Sequence, residues 1–149
     1  MTVHLVQSYL VALAGLVAAG GAGFAATRLA RRVGPWDANL TLPLLTGVAG
    51  AHLVLIPLVE LERQALFGAY VASVLVVVAL AFLGVRFWRL GAVLLPAGSI
   101  LGYAYFAVLV HQADYAGLAV KLVELATIGA AVAPILRRTS AREVRPNPA

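Results

Sequence analysis

Cysteine is absent from all 149 residues, which excludes disulfides, thiolate metal sites, iron–sulfur clusters and thiol redox chemistry. Methionine occurs once, so a soft copper(I) site lacks its ligands. Charge is scarce as well: 11% of residues, where a water-soluble domain carries about a quarter. With 62% of residues apolar, the polar groups are too few to coat a globule, and lipid is the solvent that fits this composition. There is no Gly-rich phosphate loop, no HExxH, no nucleophile elbow, and no polar stretch long enough to hold a soluble catalytic domain. Nothing in the residues calls for an enzyme or for a bound cofactor.

What charge there is lies at the edges of apolar runs. The net charge of +5 is therefore read as topology signals and not as a nucleic-acid-binding face. Met1 to Leu10 hold no Lys or Arg, while Arg28, Arg31 and Arg32 follow the first apolar run. A secretory signal has the reverse order, so a retained first helix with its N-terminus outside is expected. Ten Arg to one Lys, with heavy Ala, Val, Leu and Gly usage, is the usage of a GC-rich bacterium, and the cytoplasmic membrane of such a cell is the expected location.

A membrane-crossing helix takes about 20 largely apolar residues. Candidates run over 4–27 and 40–60, separated by a loop that includes Gly34, Pro35 and Trp36. From Ala65 to His111 the apolar character barely breaks, yet one helix of that length would be about 70 Å long, over twice the hydrocarbon thickness. It must fold back, and Arg86 and Arg89 between Gly84 and Gly91 mark the turn, giving helices over 65–87 and 90–111. A fifth helix is expected over 115–136, and 137–149 reads as a basic, disordered cytoplasmic tail.

The expected fold is thus all-α, an integral membrane bundle of about five transmembrane helices with a cytoplasmic C-terminus. Arginine placement supports this count. In that topology Arg28, Arg31, Arg32, Arg86, Arg89, Arg137, Arg138, Arg142 and Arg145 fall inside and only Arg63 falls outside. Trp36 and Trp88 are then expected at the inner interface, Tyr70 and Tyr115 at the outer one.

Small residues recur every fourth position on the first helix in two rows, Ala14, Ala18, Ala22, Ala26 and Gly15, Ala19, Gly23. Such rows allow close helix packing, within the chain or against a second copy. Pro43, Pro57, Pro96 and Pro134 can kink their helices. Pro57 in particular removes the amide that would have bonded the Leu53 carbonyl.

Each ionisable group inside a membrane costs about 2.5 to 3.5 kcal/mol on insertion scales. Three such groups stand out: His52, and Lys121 with Glu124, which share a helix face at i,i+3. With Tyr103 at a similar depth they form a candidate intramembrane polar site. It reads either as an interhelical hydrogen-bond clasp or as a proton relay or ligand site open to the outside. A second candidate group lines the outer rim: His4, Glu60, Glu62, His111 and Asp114. These residue types suit a divalent metal, but the spacing matches no ligand motif and a solvated rim is the favoured reading, so no metal is assigned. Bis-His haem is disfavoured, because His52 lies about 12 Å below the boundary where His111 sits. Arg28, Arg31 and Arg32 are candidates to attract anionic headgroups of the inner leaflet, at about 1 kcal/mol per cation near the surface, although a role in insertion topology alone is the favoured reading for most of them.

From His52 onward one further pattern is legible: His52-Leu53 early in an apolar helix, Gly68-Ala69-Tyr70 at the next helix start, a short basic turn, Gly102-Tyr103, and a late Val123-Glu124. Over about two-thirds of the chain this resembles small uncharacterised bacterial membrane proteins with a four-helix core. The resemblance implies a four-helix unit plus an additional first helix, and no activity. Three functions fit the residues. The leading one is a non-enzymatic accessory or assembly component of a larger membrane complex, with other membrane subunits or further copies as partners. The alternatives are a small transporter or channel module using His52, Lys121 and Glu124, and a redox or quinone-binding subunit.

Overall fold

The computed structural model describes the backbone of residues 2–33, 40–109 and 115–143, and the side chains of 9–30, 40–109 and 115–137. Among them the chain is all helical: α1 Thr2–Val33, α2 Thr41–Leu55 with a 3-10 turn Ile56–Leu58, α3 Leu61–Phe82, α4 Trp88–Leu109 and α5 Tyr115–Glu143. Five helices are long and apolar enough to cross a membrane. At 1.5 Å per residue, the 22 residues of α3 or α4 span about 33 Å, close to the thickness of a hydrocarbon layer.

Helix ends fall where backbone chemistry puts them. α1 continues through Val33, past the expected end at 27, with no proline or glycine between Thr27 and Val33 to break it. α5 likewise runs into the expected tail as far as Glu143, through a segment with no proline or glycine and with three Arg, an Ala and a Glu among its residues. α2 stops at Leu55, before the expected 60. Proline at 57 does not leave the Leu53 carbonyl orphaned, because the turn tightens and the Ile56 amide donates to both the His52 and Leu53 carbonyls. The expected polar weakness beside His52 is thereby absent.

The fold-back between α3 and α4 lies at 83–87, so Arg89 belongs to the first turn of α4. Gly84 has φ +71°, and its amide donates to the Ala81 carbonyl (3.1 Å) while the Val85 amide donates to Leu80 (3.0 Å). That is a Schellman ending, which needs a left-handed residue at this position.

α2 to α5 form a four-helix ring in which each helix packs on its neighbours, and α1 lies outside it, against α2. Glycine allows that last approach: a Cβ on Gly15 would lie 2.5 Å from the Gly50 carbonyl oxygen, and one on Gly50 would lie 2.4 Å from the Ala19 methyl. The Gly15, Ala19, Gly23 row thus packs within the chain, whereas Ala14, Ala18 and Ala22 are exposed.

Neighbouring helices are antiparallel, as Val77 against Gly91 and the Arg89 guanidinium on the Ala131 carbonyl (3.5 Å) require. Arg28, Arg86, Arg89 and Arg137 accordingly share one end of the bundle. Arg63, stacked 5.1 Å over the Phe106 ring, lies at the other.

Burial is inverted relative to a water-soluble protein. Leu75, Leu94, Leu101, Leu122 and Leu125 are exposed, while Thr41, His52, Lys121, Glu124 and Thr127 are buried. Lipid solvates the first set, and the second must find partners inside. Toward the arginine-rich end the ring is filled by apolar side chains, Leu42, Leu45, Val74, Val77, Ala92 and Ala131. Trp88, expected at an interface, is buried in this cluster with the Arg89 guanidinium 4.8 Å over its ring.

Candidate functional site

The polar residues gather in the other half of the ring. Lys121 and Glu124 project from α5 one turn apart, and Lys121 Nζ donates to Glu124 Oε2 at 2.8 Å. The Glu124 side chain is 0% exposed. The same ammonium donates to Ser99 Oγ on α4 and lies 6.0 Å from the centre of the Tyr103 ring, also on α4. In a medium this poor in water the pair attracts strongly, while each ion alone would be costly. α5 continues the polar stripe with Thr127, whose hydroxyl donates to the Val123 carbonyl at 2.8 Å and is thereby satisfied.

His52 arrives from α2 and is 5% exposed. Its Nδ1 lies 2.9 Å from the Val48 carbonyl, which can only accept, so Nδ1 carries the proton and neutral His52 keeps Nε2 as an acceptor. The ring stands edge-on to Phe67 (4.9 Å between centres) and tilted against Tyr70 (4.5 Å), both on α3. Tyr70 is therefore part of this site and not an interfacial marker. Its hydroxyl sits in the field of the Glu124 carboxylate, yet neither Tyr70 Oη nor Glu124 Oε1 has a partner in hydrogen-bonding geometry. Buried polar atoms are seldom left so.

Above the cluster lies a cavity of about 650 Å³. Arg63, Leu58 and Tyr115 mark its end at the edge of the bundle; His52, Ser99 and Lys121 form its deep end. One wall is α4, where Gly98 and Gly102 line the space and a Cβ on either would meet nothing within 4 Å. These two glycines hold space open, in contrast to Gly15 and Gly50, which close it.

All four residues of the intramembrane candidate site, His52, Lys121, Glu124 and Tyr103, thus lie around one polar centre. Ser99 and Tyr70 complete it. Ser99 was legible only as the first member of an i, i+4, i+7 stripe with Tyr103 and Phe106. Of the outer-rim group, Glu60 and Glu62 are exposed, while His111 and Asp114, like the side chain of His4, lie outside the described residues. Among the described residues no three His, Cys, Asp or Glu converge as metal ligands do. At the opposite end Arg28 stacks 4.9 Å from the Phe24 ring centre, and the side chains of Arg31 and Arg32 lie outside the described residues.

Comparison with protein families, curated proteins and solved structures finds no match. The functional reading therefore stands on geometry.

Proposed function

We propose that this chain is a multi-pass protein of a bacterial cytoplasmic membrane, with its N-terminus outside and its arginine-rich end in the cytoplasm, that binds a small, largely apolar molecule from the outer half of the bilayer. The observation that carries this is the cavity and where it stops. It has a volume ordinary for a ligand site, apolar walls and a few convergent polar groups at its deep end. Beyond that end, the apolar cluster around Leu45, Val77 and Ala131 fills the ring. A conduction path needs polar or wet lining on both sides of its central groups, and this arrangement offers it on one. A clasp alone needs no cavity, and two wall glycines that touch nothing serve packing poorly.

Native mass spectrometry tests this. Wild-type protein released gently from membranes is expected to retain a small-molecule adduct under conditions that strip annular lipid. Gly102→Leu, which fills the cavity, is expected to fold and to lose the adduct. If both variants carry the same adducts, the binding reading fails.

The accessory role is compatible with ligand binding and has one observation of its own. α1 lies outside the four-helix ring with its Ala14, Ala18, Ala22 row turned outward. Small residues on a lipid-facing helix suit close contact with another membrane helix. Photocrosslinking from position 18 in whole membranes is expected to capture a second membrane polypeptide, and labelling of lipid alone would exclude that role.

A further inference from the structure

Resting on the binding reading above, we infer that the ligand is a neutral amphiphile of the quinone or phenol class, a flat ring bearing carbonyl or hydroxyl oxygens, with its ring at the deep end of the cavity and its apolar substituent toward Arg63.

Charge decides the first part. Lys121 and Glu124 neutralise each other at 2.8 Å, so the deep end presents hydrogen-bonding groups without net charge. An anionic head would have to compete with Glu124 for Lys121, and a cationic head with Lys121 for Glu124. Each would leave a buried charge poorly compensated, which costs far more than it returns. A neutral head pays neither penalty.

The polar atoms decide the second part. Ser99 and Lys121 are donor-bearing groups at the cavity floor, and Tyr70, whose buried hydroxyl lies toward Glu124, lines the same end. A carbonyl oxygen suits these donors. His52, with Nδ1 held by Val48, offers only an acceptor at Nε2 and so suits a ligand hydroxyl. A ligand with both kinds of oxygen at opposite edges, or one that interconverts them, matches this mixture, whereas a plain acyl chain would leave His52 Nε2 facing an apolar neighbour and use none of the donors.

Shape decides the third. Phe67, Tyr70, Tyr103 and Phe106 supply aromatic rings around the lining, and Gly98 and Gly102 leave the α4 wall flat. Flat rings stack on such surfaces, and a saturated chain gains nothing specific from them.

Isothermal titration of the protein in lipid nanodiscs tests this, with four probes: a decyl-substituted benzoquinone together with its hydroquinone, dodecanol, oleate, and tetraphenylphosphonium. The quinone pair is expected to bind at least tenfold more tightly than the other three, and Ser99→Ala and Tyr70→Phe are each expected to weaken it about fivefold, the loss of one hydrogen bond. Both substitutions keep Lys121 and Glu124 themselves in place; Ser99→Ala removes one acceptor of the Lys121 ammonium, and Tyr70→Phe removes only the hydroxyl. Quinone binding no tighter than dodecanol, or unmoved by both hydroxyl deletions, overturns the ligand class. If oleate or the cation binds instead and Gly102→Leu abolishes it, the class falls and the binding site stands; if no probe distinguishes wild type from Gly102→Leu, both fall.

Discussion

Lys121 Nζ and Glu124 Oε2 lie 2.8 Å apart on one face of α5, and the Glu124 side chain is closed off from solvent altogether. Removing one partner strands the other as a buried ion. Glu124→Met alone, or Lys121→Met alone, is expected to cost about 3 to 5 kcal/mol of stability, whereas the double variant costs much less than the sum. Thermal unfolding of the four proteins in one detergent measures this. Additive losses would mean that the pair is not coupled.

The α1–α2 contact rests on missing side chains. Gly50→Ala places a methyl 2.4 Å from both Ala19 Cβ and the Gly15 carbonyl oxygen, and overpacking of this kind costs about 1 to 3 kcal/mol. Gly21, on the same helix as Gly15, has nothing within 4 Å, so Gly21→Ala is expected to be neutral or stabilising by up to about 1 kcal/mol. Unfolding midpoints that rank the two substitutions in the opposite order would refute the close approach.

The turn after α3 carries its own test. Gly84 sits at φ +71°, where a Cβ costs about 1 to 2 kcal/mol, so Gly84→Ala is expected to lower stability by that amount without changing the surroundings, which are open. Gly68→Ala, in the interior of α3 with equally open surroundings, is the control and is expected to stabilise. Equal effects at the two positions would contradict the left-handed turn.

How much of this was legible beforehand follows from which signals are local. Apolar run length and arginine placement are properties of the chain itself, and they locate the five helices and bring Arg28, Arg86, Arg89 and Arg137 to one end. Helix ends were less legible, because α1 and α5 continue past the expected ends at 27 and 136, through polar and basic residues that hydropathy does not register as helical. Lys121, Glu124 and His52 were visible because ionisable groups are conspicuous in an apolar run. Ser99 was not, since one hydroxyl in a hydrophobic helix is unremarkable until other helices are seen to pack around it, and Tyr70 was read as an outer-interface marker because its contact with His52 is not a local property of the chain. The direction in which Trp88 faces was hidden for a related reason. A tryptophan next to an arginine reads as an interface anchor, and only the packing of α4 against α3 shows that this one points inward. The cavity itself had no sequence signature, because Gly98 and Gly102 look the same on paper as Gly15 and Gly50.

Binding as proposed requires that the polar centre be reached from the Arg63 end and not from the arginine-rich end. With no native cysteine, Ser99→Cys is the sole thiol in the chain, and it stands at the cavity floor beside Lys121. Its labelling by a small, membrane-impermeant thiol reagent can be followed in vesicles of either orientation. Labelling is expected from the outer face only, and is expected to vanish when Gly102→Leu fills the passage; labelling from the cytoplasmic face, or labelling indifferent to Gly102→Leu, would contradict the one-sided site.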